Sequence, residues 1–256
     1  MLGAFEFPPV SHLFEWPELL FEDTPFAVSK FTICVLVASA AVLLFFILAS
    51  RKRALVPSGM QNAAEAGYDL VEKSIGIEVM GVEEGKRWTP FLASLFFFIF
   101  AVNILGIIPF FQFPATSRMA LPLFLALMVW VLMIFLGIKH QGVGGYLKNS
   151  LFPPGVPKPL YLLVTPIEFV STFLVRPFSH AVRLFANMVA GHILLTTFAL
   201  LTAALWIGQW NVIFLPLPAI MGVFMTAFEV LVALLQAYIF TILTAVYLGS
   251  SIHPEH

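Results

Sequence analysis

A chain of 256 residues that is 60% hydrophobic and 11% charged, with 28 phenylalanines and a mean hydropathy of +0.97, has the composition of an all-α polytopic membrane protein, not of a soluble core. Its net charge of −1 at pH 7 offers no basic field for nucleic acid and no acidic excess for a basic partner. The lone cysteine, Cys34, excludes an internal disulfide framework and any multi-cysteine metal site.

Residues 1–29 mix Pro8, Pro9, Pro17 and Pro25 with Glu6, Glu15, Glu18, Glu22 and Asp23, which predicts an extramembrane N-terminal arm. They hold no cationic n-region, so a cleavable signal peptide is not expected. His12 reads as a solvated side chain. Residues 30–256 read as a single transmembrane domain. The first span is 31–50, an uncharged run long enough to cross a hydrocarbon core of ~30 Å. Arg51-Lys52-Arg53 follows it, and acid before with base after places the N-terminus outside and residue 51 inside.

Over 58–80, Met60, Ala64, Leu70, Val71, Ile75 and Val79 alternate with Gln61, Glu65, Asp69, Glu72 and Lys73, the pattern of an amphipathic surface helix. Glu83, Glu84, Lys86 and Arg87 read as a solvated hinge. The second span is 88–111, anchored by Trp88 and carrying Asn103 and Pro109. Asn103 reads first as a helix–helix hydrogen bond and second as a transport ligand. A turn with Pro114 and Arg118 leads to the third span, 119–138. The loop 139–159, with Lys139, His140, Lys148 and Lys158 and no acid, belongs inside. Its Gly142, Gly144 and Gly145 supply flexibility, since no phosphate-loop pattern surrounds them.

The fourth span, 160–207, would approach ~70 Å as one helix. It must tilt strongly or kink at Pro166 or Pro177. Trp206, Gly208, Gln209, Trp210 and Asn211 suit an outside turn. The fifth span, 212–249, is again too long to stand upright, and it carries Thr226, Glu229 and Gln236 as a polar stripe. The tail from Gly249, with His253, Glu255 and His256, leaves on the inside.

Arg183 stands in the middle of this apolar chain. A guanidinium stays charged, and placing one near the bilayer centre costs at least ~2.5–3.5 kcal/mol, so something anionic must meet it. Glu168, Thr172, Arg176, His180, Arg183, Asn187 and Gly191 recur at helical spacing and predict one polar face turned to protein or to a water-filled cavity. With His192, Glu229 and Gln236 they form a proton-relay inventory. Carboxylates and imidazoles exchange protons, and amides hold water between them. Arginine serves as a fixed barrier, not a carrier. Three other readings stand beside it: a static buried pair of Arg183 with Glu229, an independent ion channel or secondary transporter, and a structural scaffold. A metal site at His180 and His192 lacks ligand spacing. Nucleophilic catalysis has no supporting arrangement, and no cofactor is expected.

Arg183-Leu184-Phe185-Ala186-Asn187-Met188-Val189-Ala190-Gly191 and Gln236-Ala237-Tyr238-Ile239-Phe240, followed by Leu243-Thr244 and Tyr247, resemble the signature of subunit a of F-type ATP synthases, bacterial type. Asn103-Ile104-Leu105-Gly106 and the order of spans extend the resemblance to most of the chain after residue 30. It implies a non-catalytic, proton-conducting stator subunit in a bacterial inner membrane, with partners in a ring of c subunits, b-type stalk subunits, the F1 sector and lipid. Two aqueous half-channels would serve the ring carboxylates. Arg183 matches the family's essential arginine, and Asn187, His192, Glu229 and Gln236 match polar positions of its proton path. Arg176, His180 and Asn103 are secondary candidates. Many relatives have glycine where Ala186 stands, and many carry an acid and a histidine where this chain has His192 and Glu229.

Overall fold

The computed structural model describes residues 29–51, 54, 56–108, 115–152, 157–207 and 212–253. The expected N-terminal arm, Lys52 and Arg53, Pro109 and Pro114, the outside turn 208–211 and the last residues 254–256 lie outside the described residues. Among those described there is no strand. Five helical segments are long and apolar enough to cross a membrane, and one amphipathic helix accompanies them.

Helix α1, Lys30–Arg51, has 22 residues and so a length of about 33 Å, matching the hydrocarbon thickness. It buries small side chains, Cys34, Ala38 and Ala49, and turns Leu36, Leu43, Leu44, Ile47 and Leu48 outward. In lipid the hydrophobic effect no longer sorts helices, so close approach through small residues does.

Helix α2 covers Met60–Val71, continues through a wide π-helical segment Glu72–Ile77 and a last turn Glu78–Met80, and stops at Gly81 with φ 82°. Ala64, Val71 and Ile75 are its buried stripe, while Glu65, Asp69 and Lys73 are exposed. The wide segment presses backbone to backbone on α3, Val82–Ile107. A Cβ added at Gly85 would sit 2.6 Å from the carbonyl of Gly76, and Thr89 Oγ1 donates to Gly85 O at 2.7 Å.

The hinge expected at Glu83–Arg87 is instead the first turns of α3. Glu83 and Glu84 sit where an N-terminal helix dipole favours acid. Glu84 accepts from Trp88 Nε1 at 3.2 Å and pairs with Arg87 at 3.6 Å, so charge here begins a helix that Gly81 has already set apart from α2.

Helix α4, Ala120–Leu151, corrects the expected loop at 139–159. It runs on through Gln141 and bends at Gly142, whose φ of 73° only glycine adopts freely. The second arm folds back so that Tyr146 fills the space beside Gly137, where a Cβ would collide with its ring. Gln141 Nε2 donates to Ser251 O at 2.7 Å and Asn149 Nδ2 to Gln141 Oε1 at 2.9 Å.

Helix α5, Tyr161–Val170, passes through a π-helical segment Ser171–Val175 into α6, Arg176–Ile207. The Arg176 N–H donates to Ser171 O, five residues back. Such a wide turn relieves the ladder where Pro177 offers no N–H and would crowd the carbonyl four residues earlier. Helix α7, Pro216–Ile252, has 37 residues and outlasts the expected end at Gly249. It packs on α3, α4 and α6, with Leu92, Ile99, Val102, Val129, Leu184 and Leu248 in the shared core.

Candidate functional site

Glu229 and Gln236 lie two turns apart on the inner face of α7, 8% and 5% exposed. Burying a carboxylate needs space or a partner. Gly191 of α6 gives the space, since a Cβ there would run into Glu229 Oε1. That oxygen is buried with no hydrogen-bond partner. Glu229 lines a cavity of about 340 Å³ between α3, α6 and α7, whose polar lining is Asn103, Asn187, Glu229 and Gln236. Room for a single water begins at about 10–15 Å³, so this cavity can hold a cluster of them.

Asn103 is 1% exposed and accepts from Thr116 Oγ1 at 2.8 Å through its Oδ1. The hydrogen bond expected of it is made to a short turn instead of a neighbouring long helix. Its amide group also borders the cavity. Thr226, expected to share the stripe of Glu229 and Gln236, is exposed and donates to Gly222 O of its own helix at 2.8 Å.

Four candidates thus converge, and four do not. Arg183 is exposed on α6, next to exposed Ala186, Asn187 and Ala190. Among the described residues it makes no salt bridge, so the static pair with Glu229 is absent. His192 is half-buried and does not line the cavity. Nine residues after Arg183, at 100° per residue, it points to the opposite side of the helix. His180 is turned inward, 3% exposed, and Arg176 lies with its guanidinium 5.8 Å from the centre of the Tyr247 ring. The polar face from Glu168 to Gly191 is therefore split: part meets α4 and α7, and part is bare.

A role for Gly191 as the seat of Glu229 was missed in the sequence. The available signal was a glycine within the polar stripe, at a position where side-chain volume is excluded. Chemically, the site sets a largely apolar cavity that holds a carboxylate and three amides beside an uncovered cationic face, with Asn187 belonging to both.

Residues 32–249 match the family model described as ATP synthase A chain. The chain is 42% identical to ATP synthase subunit a of Rhodococcus erythropolis, over 99% of this chain and 94% of that one. It is 44% identical to that of Frankia alni, over 89% and 79%, and 43% identical to that of Gluconobacter oxydans, over 98% and 96%.

Proposed function

The chain belongs to the ATP synthase A chain family, and from that premise we propose that it conducts protons as the stator partner of a rotating c ring. A multi-pass membrane subunit of the Fo sector does no bond chemistry of its own. Its task is to let protons reach and leave carboxylates carried by a neighbour.

The observation that carries this reading is the position of Arg183, exposed and without an acidic partner among the described residues. Such a charge in a membrane helix demands an anion from outside the chain. The small side chains of Ala186 and Ala190 beside it let another helix approach closely. A ring carboxylate, deprotonated, would meet Arg183 there. None of the most apolar stretch of Tyr161–Trp206 is buried within the chain, which suits a long face covered by a ring.

The cavity of Asn103, Asn187, Glu229 and Gln236 supplies one half-channel in this reading. Glu229 passes protons to water held by the amides, and water held at Asn187 hands them to the ring at the bare face. Arg183 blocks direct passage to the other half-channel, because a fixed cation repels a proton. His192 and Arg176 take part less directly, and His180 lies off the proton path. The N-terminus lies outside and the C-terminus inside, with b-type stalk subunits and F1 attached on the inner side.

In assembled complexes in membrane vesicles, Arg183→Ala is expected to reduce ATP-driven proton pumping to background and to raise passive leak. Coupled pumping at the wild-type rate would return Arg183 to a structural role.

A further inference from the structure

The inward side of α6 carries polar groups that the Glu229 cavity does not use. The His180 ring centre lies 3.7 Å from that of Phe240 and 5.7 Å from that of Tyr247. Its Nε2 faces Thr244 Oγ1 at a long 3.5 Å. That hydroxyl already donates to Phe240 O at 2.8 Å. A hydroxyl has one proton to give, so toward the imidazole Thr244 can only accept, and the neutral ring carries its proton on Nε2.

Nδ1 is then an acceptor, and it is buried with no hydrogen-bond partner. On α4 the indole Nε1 of Trp130 is buried without a partner too, and an indole N–H only donates. Both residues line one small cavity, about 10 Å³ measured as room for a water's centre, closed on other sides by Arg176, Pro177 and Tyr247. About 10–15 Å³ of such room is what one water needs, together with two or more polar partners. A stranded donor and a stranded acceptor on two residues that line the same void fit one molecule able to do both. A cation is disfavoured by the indole N–H and by the Arg176 guanidinium, which has donors alone.

We infer that Trp130 and His180 hold one ordered water, accepting from Trp130 Nε1 and donating to His180 Nδ1, and that through it His180 is a positioning residue for Arg183. The resulting chain of hydrogen bonds runs from α4 through α6 to Thr244 of α7. Arg183 stands three residues beyond His180, less than one turn along the same helix. Fixing the rotation of α6 at His180 fixes the direction in which Arg183 leaves it.

The test is a structure of the assembled complex at a resolution that shows ordered water, for the wild type and for Trp130→Phe, His180→Asn and His180→Gln, with passive proton leak measured on each. Wild-type density is expected within about 3.2 Å of both nitrogens. Trp130→Phe keeps the ring and removes the donor, so the water is lost. His180→Asn keeps an acceptor near the place of Nδ1 and the water stays; His180→Gln puts its amide near the place of Nε2 and the water goes. Leak is expected to rise on the order of fivefold, the effect of about one lost hydrogen bond, in Trp130→Phe and His180→Gln but not in His180→Asn. No density between the two nitrogens in the wild type overturns the water site. Equal leak in all variants and wild type overturns the positioning role. Should the His180 variants fail to assemble, Trp130→Phe alone decides both points.

Discussion

At residue scale, the contact between Gly191 and Glu229 ties a carboxylate to the absence of a methyl group. Gly191→Ala drives that methyl against Glu229 Oε1, the far end of a flexible side chain, so the carboxylate is pushed aside at a cost to stability below the ~1–3 kcal/mol of an overpacked core. Proton pumping is expected to fall several-fold with the complex still assembled. Adding Glu229→Asp, which shortens the side chain by one methylene, is expected to recover part of it; a double variant no better than the single one would mean that the contact is not what limits pumping. The motif around Arg183 was legible because charge in apolar sequence is conspicuous. The seat for Glu229 was not, because its signal is missing volume, and missing volume has a partner only in three dimensions. His180 shows the reverse error. Helical spacing grouped it with Arg183, yet those residues sit 60° apart on the helix circumference, enough for one to meet Phe240 while the other stays exposed.

At the scale of elements, apolar runs showed where membrane helices lie but not how far they extend beyond the apolar core. Glu83–Arg87 and Lys139–Gln141 read as loops because they are charged. Helices nevertheless continue through them, since water at a membrane face satisfies charged side chains without breaking backbone hydrogen bonds. Glycine decided the real ends: Gly81 and Gly142 have positive φ, whereas Gly85 and Gly76 serve close packing. Gly85→Ala is expected to lower the stability of the complex by ~1–3 kcal/mol, as overpacking does. Gly144→Ala, with open space around the new Cβ, is expected to be within ~0.5 kcal/mol of the parent. Thermal denaturation of the detergent-solubilised complex compares the two, and equal midpoints would contradict the packing argument.

For the whole molecule, the basic residues and the five helices long and apolar enough to cross a membrane give an expected orientation that labelling can test. Cys34 is 2% exposed, so single cysteines can be introduced against a quiet background. With a membrane-impermeant thiol reagent, Ser58→Cys and Val143→Cys are expected to label only from the inner side, and Ile213→Cys only from the outer. All three positions are exposed. Labelling of Ser58→Cys and Ile213→Cys from the same side would change the number of crossings between them. In the proposed reading, the bare face of Arg183 and the cavity of Glu229 are two parts of one sided device, and labelling that placed Ser58 and Ile213 on opposite sides would agree with it.

The wide turn at Ser171–Val175 has a consequence for length change. A π segment holds one residue more than the α turn it replaces, so removing one residue there restores regular helix without rotating α6. Deleting Leu174, which is 60% exposed, should keep a measurable part of the pumping, reduced because Pro177 then crowds the carbonyl four residues back. Deleting Val182 should abolish it, because Arg183 and all beyond it would swing by about 100° relative to His180. Equal loss in both variants would show that the turn cannot give up its extra residue. Along α5 and α6, this is the place where the chain can change length without re-aiming its arginine.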